Sequence, residues 1–307
     1  MDLAVSRWRA GLRFSLFALV CAAGGAQDCA SLLGAARKDY EAREFDRAVA
    51  GFERARERCP NRGQVLLALG QAQLMAQRLD ASASTFRELI RLDPSHAAAR
   101  KLLADALYLA RKEQEAVETL EAALAVDPKN TASRYALGRI LYQQNRYPEA
   151  VEQLKKVVEI DPDHYRAYDN LGLCYDALQR DADAVSHFFK ALDLVQRDHP
   201  DYDWAHANLA DFFLKRNEFE KAFQLAAEAA QRNPNSARNF FLTGKALVKL
   251  NKEDVSLRWL ERAIQLDPRH RESLYLLSQT YRRLGRNADA DRVLDSFRAL
   301  GPSGPRR

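Results

Sequence analysis

The side chains best suited to chemistry in this sequence are six histidines and four cysteines, and most stand far apart. One short stretch has the composition of a metal site, because two histidines stand there among three aspartates: His199, His206, Asp198, Asp201 and Asp203. The same residue types are typical of a solvated, turn-forming segment. We prefer the turn interpretation, so no metal and no cofactor is expected.

Motifs with a known catalytic mechanism are not found. The sequence has no H-E-x-x-H, no paired C-x-x-C, no G-x-S-x-G and no glycine-rich phosphate loop. His96, His164 and His270 occupy equivalent positions of a repeated pattern. That spacing separates them along the chain, so they cannot bind one metal ion together. An enzyme is therefore not expected.

The repeated pattern has a period of 34 residues, which sets where every side chain falls. Small residues recur at one position, namely Ala36, Gly70, Ala104, Gly138, Gly172, Ala210, Gly244 and Ser278. Proline closes most periods, at Pro60, Pro94, Pro128, Pro162, Pro234, Pro268 and Pro302. One step, from Ala184 to Ala222, is four residues longer, close to one helical turn. It predicts a lengthened helix that continues past Leu192.

Each period holds two amphipathic helices. In 131–164, Leu137, Gly138 and Leu141 share one helical face, and Leu154 and Val157 lie on one face of the second helix. Small residues allow the two helices to approach closely, and proline ends the second one. A single hairpin cannot bury its apolar face, so neighbouring hairpins must stack.

This pattern resembles the tetratricopeptide repeat, W-x-x-L-G-x-x-Y…A-x-x-x-F…A…P over 34 residues. The matching residues are Tyr168, Leu171, Gly172, Tyr175, Ala184, Phe188 and Ala191 in the fifth repeat, and Leu69, Gly70, Phe86 and Pro94 in the second. The resemblance implies an all-α, right-handed solenoid of stacked helix-turn-helix units. It covers 27–302 in eight repeats, 29–62, 63–96, 97–130, 131–164, 165–202, 203–236, 237–270 and 271–302.

The first 26 residues do not follow the repeat. Arg7, Arg9 and Arg13 precede an apolar run over 14–23, and small residues follow up to Ala26. This order is typical of a secretory signal peptide, so we predict cleavage after Ala26 and export to a bacterial periplasm. An uncleaved membrane anchor is the main alternative; after cleavage no stable membrane span is expected. Residues 303–307 are expected to be a disordered tail.

The predicted compartment indicates how the cysteines are used. Cys21 would leave with the signal, whereas Cys29 opens the first helix of repeat one and Cys59 ends its second helix. A hairpin brings both thiols to the same end, and export favours oxidation, so we predict a Cys29–Cys59 disulfide. Two unrelated thiols are the alternative. Cys174 lies in the small-residue packing row and should be a buried apolar group.

The resemblance also implies where partners bind, because the family's concave surface is formed mostly by the first helix of each repeat. The family positions fall here on residues that are tyrosine-rich in the middle and basic towards the C-terminus: Tyr135, Arg139, Tyr142, Trp204, Arg238, Phe241, Lys245, Lys249, Tyr275, Arg282 and Arg283. Asn170 and Asn208 occupy the asparagine position with which some members clamp a terminal carboxylate. Asp169 and Leu173 replace other parts of that clamp, so a complete clamp is not expected, although the two asparagines could bond a ligand backbone.

The charge pattern bears on the partner. From Asp203 onward there are nineteen Lys and Arg against thirteen Asp and Glu, a surplus of six. Either this is an ordinary solvated surface, or the groove accepts acidic segments.

The resulting prediction is a non-catalytic protein-binding scaffold of the cell envelope that holds extended peptides in its groove. The alternative is a scaffold or conduit for an anionic exported polysaccharide. A nucleic-acid partner is not expected in an exported protein. The polar last helix serves either as its own cap or as a self-association surface.

Overall fold

The computed structural model describes residues 28–199 and 201–301. The predicted signal peptide (1–26), Pro302 and the predicted tail (303–307) lie outside these residues. Within them the chain forms sixteen helices and no strand. They are α1 (28–41), α2 (Phe45–Arg58), α3 (Arg62–Met75), α4 (Leu79–Leu92), α5 (Ala97–Leu109), α6 (Glu113–Val126), α7 (Thr131–Gln143), α8 (Tyr147–Ile160), α9 (Tyr165–Ala177), α10 (Asp181–Asp198), α11 (Trp204–Lys215), α12 (Phe219–Arg232), α13 (Ala237–Lys249), α14 (Glu253–Leu266), α15 (Arg271–Arg283) and α16 (Asn287–Ala299).

The helices group into two compact bodies, an N-terminal body (Met1–Ile140) and a C-terminal body (Leu141–Arg307). In the C-terminal body each helix from α8 to α16 packs against the next, and α11 and α13 also contact the odd-numbered helices on either side of them. In the N-terminal body α3 contacts α5 in the same way. Among the described residues no two even-numbered helices make a contact of that extent. The predicted all-α class and stacked-hairpin architecture are therefore confirmed.

Helices of one hairpin meet where the sequence has small residues. Gly138, Gly172 and Gly244 are all buried. A Cβ added at Gly172 would lie 2.5 Å from the ring of Phe188, and one at Gly244 would lie 2.6 Å from Leu260. The glycines thus leave room for the large side chain of the facing helix, as the repeat predicts.

Each turn between the two helices of a hairpin passes through one residue in the left-handed conformation. These residues share φ values of +56° to +74° and the spacing of the repeat: Arg43, Gln77, Arg111, Asn145, Gln179, Asn217, Asn251 and Gly285. A left-handed residue ends a helix by redirecting the chain, and glycine or asparagine adopts it most easily.

The three equivalent histidines cap odd-numbered helices. Nδ1 of His96 accepts a hydrogen bond from the Ala99 amide (3.2 Å), and His164 accepts from Ala167 (3.1 Å) in the same way. His270 repeats the arrangement before α15. An N-cap side chain accepts a hydrogen bond from a free amide at the helix start. Nδ1 of each ring therefore serves as the acceptor and carries no proton in this arrangement.

The four-residue insertion lengthens α10, as predicted. This helix has 18 residues, whereas α2 has 14 and α11 has 12. Leu194 and Val195 in the added turn are buried. The extra turn therefore packs against the structure instead of looping out.

The predicted Cys29–Cys59 disulfide is present, with the Cα atoms 5.2 Å apart. Asp28 and Arg58 form an ion pair beside it (3.0 Å). Cys174 is fully buried, as expected, and burial raises the pKa of its thiol to about 12. The bridge fastens the start of α1 to the end of α2.

At the other end of the chain, α16 buries only Ala290 completely. Its charged residues pair with charges close to them in sequence, for example Asp289 with Arg286 and Asp295 with Arg298. This polar exterior fits the self-capping alternative. In the described residues no helix is both long and apolar enough to cross a membrane.

Candidate functional site

The predicted binding residues of the C-terminal body lie mainly on α9, α11, α13 and α15. We call the face formed by these four helices the odd-helix surface. Its residues come close together because α11 contacts both α9 and α13 directly.

The centre of the odd-helix surface is a hydrogen-bonded chain that links three helices. The Asn208 amide nitrogen donates to both carboxylate oxygens of Asp169 (3.0 and 2.9 Å), and Tyr202 donates to the same carboxylate (3.0 Å). Arg238 donates to the amide oxygen of Asn208 (2.9 Å), and its guanidinium lies 5.1 Å from the Trp204 ring centre. We call these five residues the Arg238 network.

The first turn of α11 is fixed by a second set of buried polar contacts. Asp203, just before α11, accepts hydrogen bonds from Asn239 (2.6 Å) and Asn233 (3.3 Å). Asn239 also donates to the carbonyl of Ala229 (3.0 Å). These bonds hold the start of α11, and therefore Trp204, against α13.

Burial controls ionisation in the Arg238 network. Asp169 is only 2% exposed, and this burial raises the pKa of its carboxyl to about 6, against the lowering effects of Asn208, Tyr202 and Arg238. Burial also lowers the pKa of Arg238, although Asp211, Asp169 and Asp203 favour its charged form. The network thus contains a buried acid, Asp169, and a partly buried cation, Arg238. The neutral side-chain amide of Asn208 is hydrogen-bonded to both of them.

A separate ion-pair cluster lies towards the C-terminal ends of α9 and α11. Lys215 bridges Asp176 (3.0 Å) and Asp211 (2.9 Å), and Arg216 binds Asp176 (2.8 Å) and Asp181. Two cations meet three carboxylates here, so the cluster leaves one net negative charge and offers no free positive charge to a ligand.

Several predicted aromatic residues are open to solvent. Trp204 is 53% exposed and Tyr275 is 51% exposed, with the Tyr275 ring 5.8 Å from that of Phe297. Phe241 is half-buried, and the Lys245 ammonium lies 5.8 Å from its ring centre. Large exposed rings beside cations are typical of surfaces that bind partners.

The predicted basic residues differ in availability. Arg282 pairs with Asp291 (3.2 Å) and Arg283 with Glu253 (3.5 Å). Lys245 and Lys249 form no ion pair with the described residues, and Lys249 is exposed. Only part of the predicted basic surface therefore carries uncompensated charge.

The remaining predicted residues are not part of the Arg238 network, although Tyr142 acts electrostatically on Arg238. In the N-terminal body the Arg139 guanidinium lies 5.9 Å from the Tyr135 ring centre. In the C-terminal body Tyr142 packs 5.6 Å from Tyr147, and burial raises the pKa of its hydroxyl. The Asn170 amide donates to the carbonyl of Arg166 on its own helix (2.8 Å).

The histidine–aspartate stretch is not a solvated turn throughout. His206 is fully buried on α11, with Nε2 3.3 Å from Glu228, and Asp203 is buried, whereas His199 stacks on Tyr165 at 4.2 Å. The expectation of a solvated segment was wrong for His206 and Asp203, because α11 begins at Trp204 and turns them inward. No group of three or more potential metal ligands occurs in the described part of the chain.

Protein-family models match most of the sequence. Tetratricopeptide repeat models match residues 33–97, 77–131, 107–173, 167–198 and 241–305. The chain belongs to the tetratricopeptide repeat family. The stretch between 198 and 241, which supplies Tyr202, Trp204, Asn208 and Arg238, lies outside these matches.

Solved tetratricopeptide repeat structures share the fold. PilF of Pseudomonas aeruginosa is 25% identical with a TM-score of 0.59, over 71% of this chain and 97% of that one. A repeat protein of Parabacteroides merdae is 14% identical (TM-score 0.66; 83% and 99% covered), and yeast Tom70 is 17% identical (TM-score 0.64; 84% and 55% covered). A sequence search of curated proteins finds no match. These likenesses establish the architecture, and tetratricopeptide repeat proteins are typically non-catalytic scaffolds.

Sequence reasoning did not select Tyr202 or Asn239 and considered Asp203 only as part of a possible metal site, although the structure places all three around Trp204 and Arg238. Two signals point to them. The four-residue insertion directly precedes Tyr202, and Asp169 departs from the family pattern at a position where a basic residue would complete a clamp.

Proposed function

We propose that this tetratricopeptide repeat protein is a non-catalytic scaffold of the cell envelope that binds extended peptide segments of partner proteins on its odd-helix surface. The observation that carries this proposal is the pairing of the exposed Trp204 ring with the Arg238 guanidinium, 5.1 Å apart and held by Asn208. An immobilised cation–aromatic pair offers both apolar area and hydrogen-bond donors at little entropic cost.

Further contacts are available along the same surface. Tyr275 offers a second exposed ring, and Lys245 and Lys249 offer positive charge for acidic residues of a partner. Aromatic anchors flanked by cations are typical of peptide-binding hot spots. We therefore expect a protein or peptide ligand, with acidic residues where it passes Lys245 and Lys249.

An anionic exported polysaccharide remains the competing ligand. It would need dense, unpaired positive charge, but Arg282 and Arg283 are already paired with Asp291 and Glu253. The arrangement therefore favours peptides, whose affinity should persist in salt because rings contribute much of it.

The cell-envelope setting is part of this proposal. The Cys29–Cys59 disulfide fits an oxidising compartment, and the N-terminal pattern of 1–26 fits export. Mature protein recovered from a periplasmic fraction should begin at Gln27. Protein that keeps residue 1 and sediments with membranes would support the uncleaved anchor instead. Self-association through α16 stays a prediction.

The binding surface can be tested by site-specific photocrosslinking. A benzoylphenylalanine at position 204 or 275 should form adducts with partner proteins in cells. The matched control is position 189, because Phe189 is equally exposed (49%) but lies on the even-numbered helix α10. Equal adducts at all three positions, or adducts with polysaccharide alone, would contradict the proposed function.

A further inference from the structure

Arg238 differs from the other cations near it. It makes one side-chain hydrogen bond, to Asn208, and no direct ion pair with a carboxylate in the described part of the chain. Lys215 and Arg216, by contrast, each contact two carboxylates. A guanidinium has five N–H donors, so Arg238 keeps donors available for a ligand.

The electrostatic surroundings of Arg238 are nevertheless negative. Asp211, Asp169 and Asp203 all act on it from beyond contact distance. Asp211 is offset by Lys215, but no cation makes an ion pair with Asp169 or Asp203 among the described residues. The charge of Arg238 is therefore already balanced before any ligand arrives.

Asn208 connects the Asp169 carboxylate to the Arg238 guanidinium through hydrogen bonds. Its nitrogen is committed to both oxygens of Asp169, which turns its oxygen towards Arg238. Tyr202, in the connection between α10 and α11, donates a further hydrogen bond to the Asp169 carboxylate. Asp169 and Asn208 thus act as positioning residues for the guanidinium.

We propose that Asp169 is the specificity-determining residue of the odd-helix surface: its buried negative charge offsets Arg238, so the guanidinium donates to neutral carbonyl oxygens of a bound peptide and disfavours carboxylates. This inference rests on the proposed peptide-binding function. A carboxylate at Arg238 would meet the like charges of Asp169 and Asp203 in surroundings of reduced dielectric. A neutral carbonyl gains the hydrogen bond without that repulsion.

Protonation should relax this selectivity. Burial raises the pKa of Asp169 to about 6, so mild acid removes its charge and leaves Arg238 less compensated. Carboxylate-bearing peptides should then be accepted. No titratable group of α8 or α10 shifts the ionisation of Asp169. The charged or titratable groups around the network are Tyr142 on α7, Arg166 on α9, His199, Tyr202 and Asp203 in the connection, Asp211 and Lys215 on α11, and Arg238 on α13.

The test is selection from a random peptide library displayed on phage, using the full chain at pH 7.5 and pH 5.0 and one ionic strength. Wild type is compared with Asp169→Asn and with Asp193→Asn, which makes the same charge change at an exposed α10 position. Peptides that also bind Arg238→Ala are subtracted. At pH 7.5 the remaining wild-type peptides set the reference content of Asp and Glu, which includes acidic residues bound by Lys245 and Lys249. Asp169→Asn should enrich these residues about threefold or more, and Asp193→Asn should match wild type.

The Asp and Glu content of peptides selected by wild type should rise at pH 5.0, as it does for Asp169→Asn at pH 7.5. This comparison tests the inference even if Asp169→Asn does not fold. Equal acidic content under all conditions would overturn the inference while leaving peptide binding intact. Peptides that depend on Trp204 and Tyr275 but not on Arg238 would do the same. If no peptide is enriched at all, the proposed function fails together with this inference.

Discussion

The side-chain amide of Asn208 donates to both carboxylate oxygens of Asp169, 39 residues away along the chain, over 3.0 and 2.9 Å. The acid is almost completely buried, yet its hydrogen-bonding partners are neutral groups, because Arg238 contacts the amide and not the carboxylate. A buried carboxylate without a direct counter-ion is costly when charged. The protein therefore carries an electrostatic penalty at the centre of its proposed binding surface.

Asp169→Asn should stabilise the protein at neutral pH. The folded-state pKa of Asp169, about 6, lies above the ordinary pKa of an aspartate, so its stabilising contribution is complete at low pH and is lost as pH rises through 6. The new amide NH2 would face the donating groups of Asn208 and Tyr202, which costs about 1 kcal/mol, so removing the charge should leave a net gain of about 1 to 2 kcal/mol at pH 7.5. Near pH 4 the gain should be gone and the variant should be slightly less stable than wild type. Urea unfolding at both pH values measures it. A variant less stable than wild type at pH 7.5, with Asp193→Asn unchanged, would contradict the assignment.

His164 should make the start of α9 sensitive to acid. Burial lowers the pKa of His164 in the folded state, so its contribution is present above the ordinary histidine pKa and is lost as pH falls. His164→Ala should cost about 1 kcal/mol at pH 7.5, because the cap on Ala167 is lost.

Asparagine at position 164 is the informative comparison, since Asn130 caps the equivalent turn by accepting from Ser133 (2.8 Å). His164→Asn should keep the stability at pH 7.5 and reduce the loss seen at pH 5. Hydrogen exchange over the first turn of α9 reports both effects. Identical pH dependence in wild type and His164→Asn would exclude the cap as its origin.

Gly172→Ala should be destabilising by about 1 to 3 kcal/mol. The added methyl group would lie 2.5 Å from the Phe188 ring, so α9 and α10 would have to separate. Gly34→Ala is the matched control, because a Cβ at Gly34 meets nothing within 4 Å in helix α1. That change should be neutral or stabilising by up to about 1 kcal/mol. Thermal unfolding of the pair measures the difference, and equal effects would refute close packing at Gly172.

Reduction of Cys29–Cys59 should loosen the first hairpin selectively. The bridge closes a sequence separation of 30 residues, which corresponds to about 3 to 4 kcal/mol of chain entropy. Hydrogen exchange with and without reductant should show faster exchange in α1 and α2 and unchanged protection in α9 to α16. Cys174→Ala serves as a control for effects of the third thiol. Uniform deprotection of both bodies would argue against a local role.

Sequence reasoning predicted correctly those features that depend only on residues within one repeat. The 34-residue period fixes the helices, the buried small residues and the disulfide, because a hairpin brings its own two helices together. The lengthened α10 was also predictable, since four added residues equal about one helical turn. The equivalent histidines were visible as a pattern, but their capping role was not, because it depends on the orientation of Nδ1.

The tertiary structure alone decided the candidate site. Asp169, Asn208 and Arg238 belong to three successive odd-numbered helices, and their contacts exist only because α11 packs against both neighbours. Contacts between helices also bury His206, pair Arg282 with Asp291 of the same hairpin and pair Arg283 with Glu253 of the preceding hairpin. The sequence shows these residues simply as polar or basic. A repeat determines which face each side chain occupies. The charge state, exposure and partners of that side chain depend on distances between helices. The sequence of a single repeat does not give those distances.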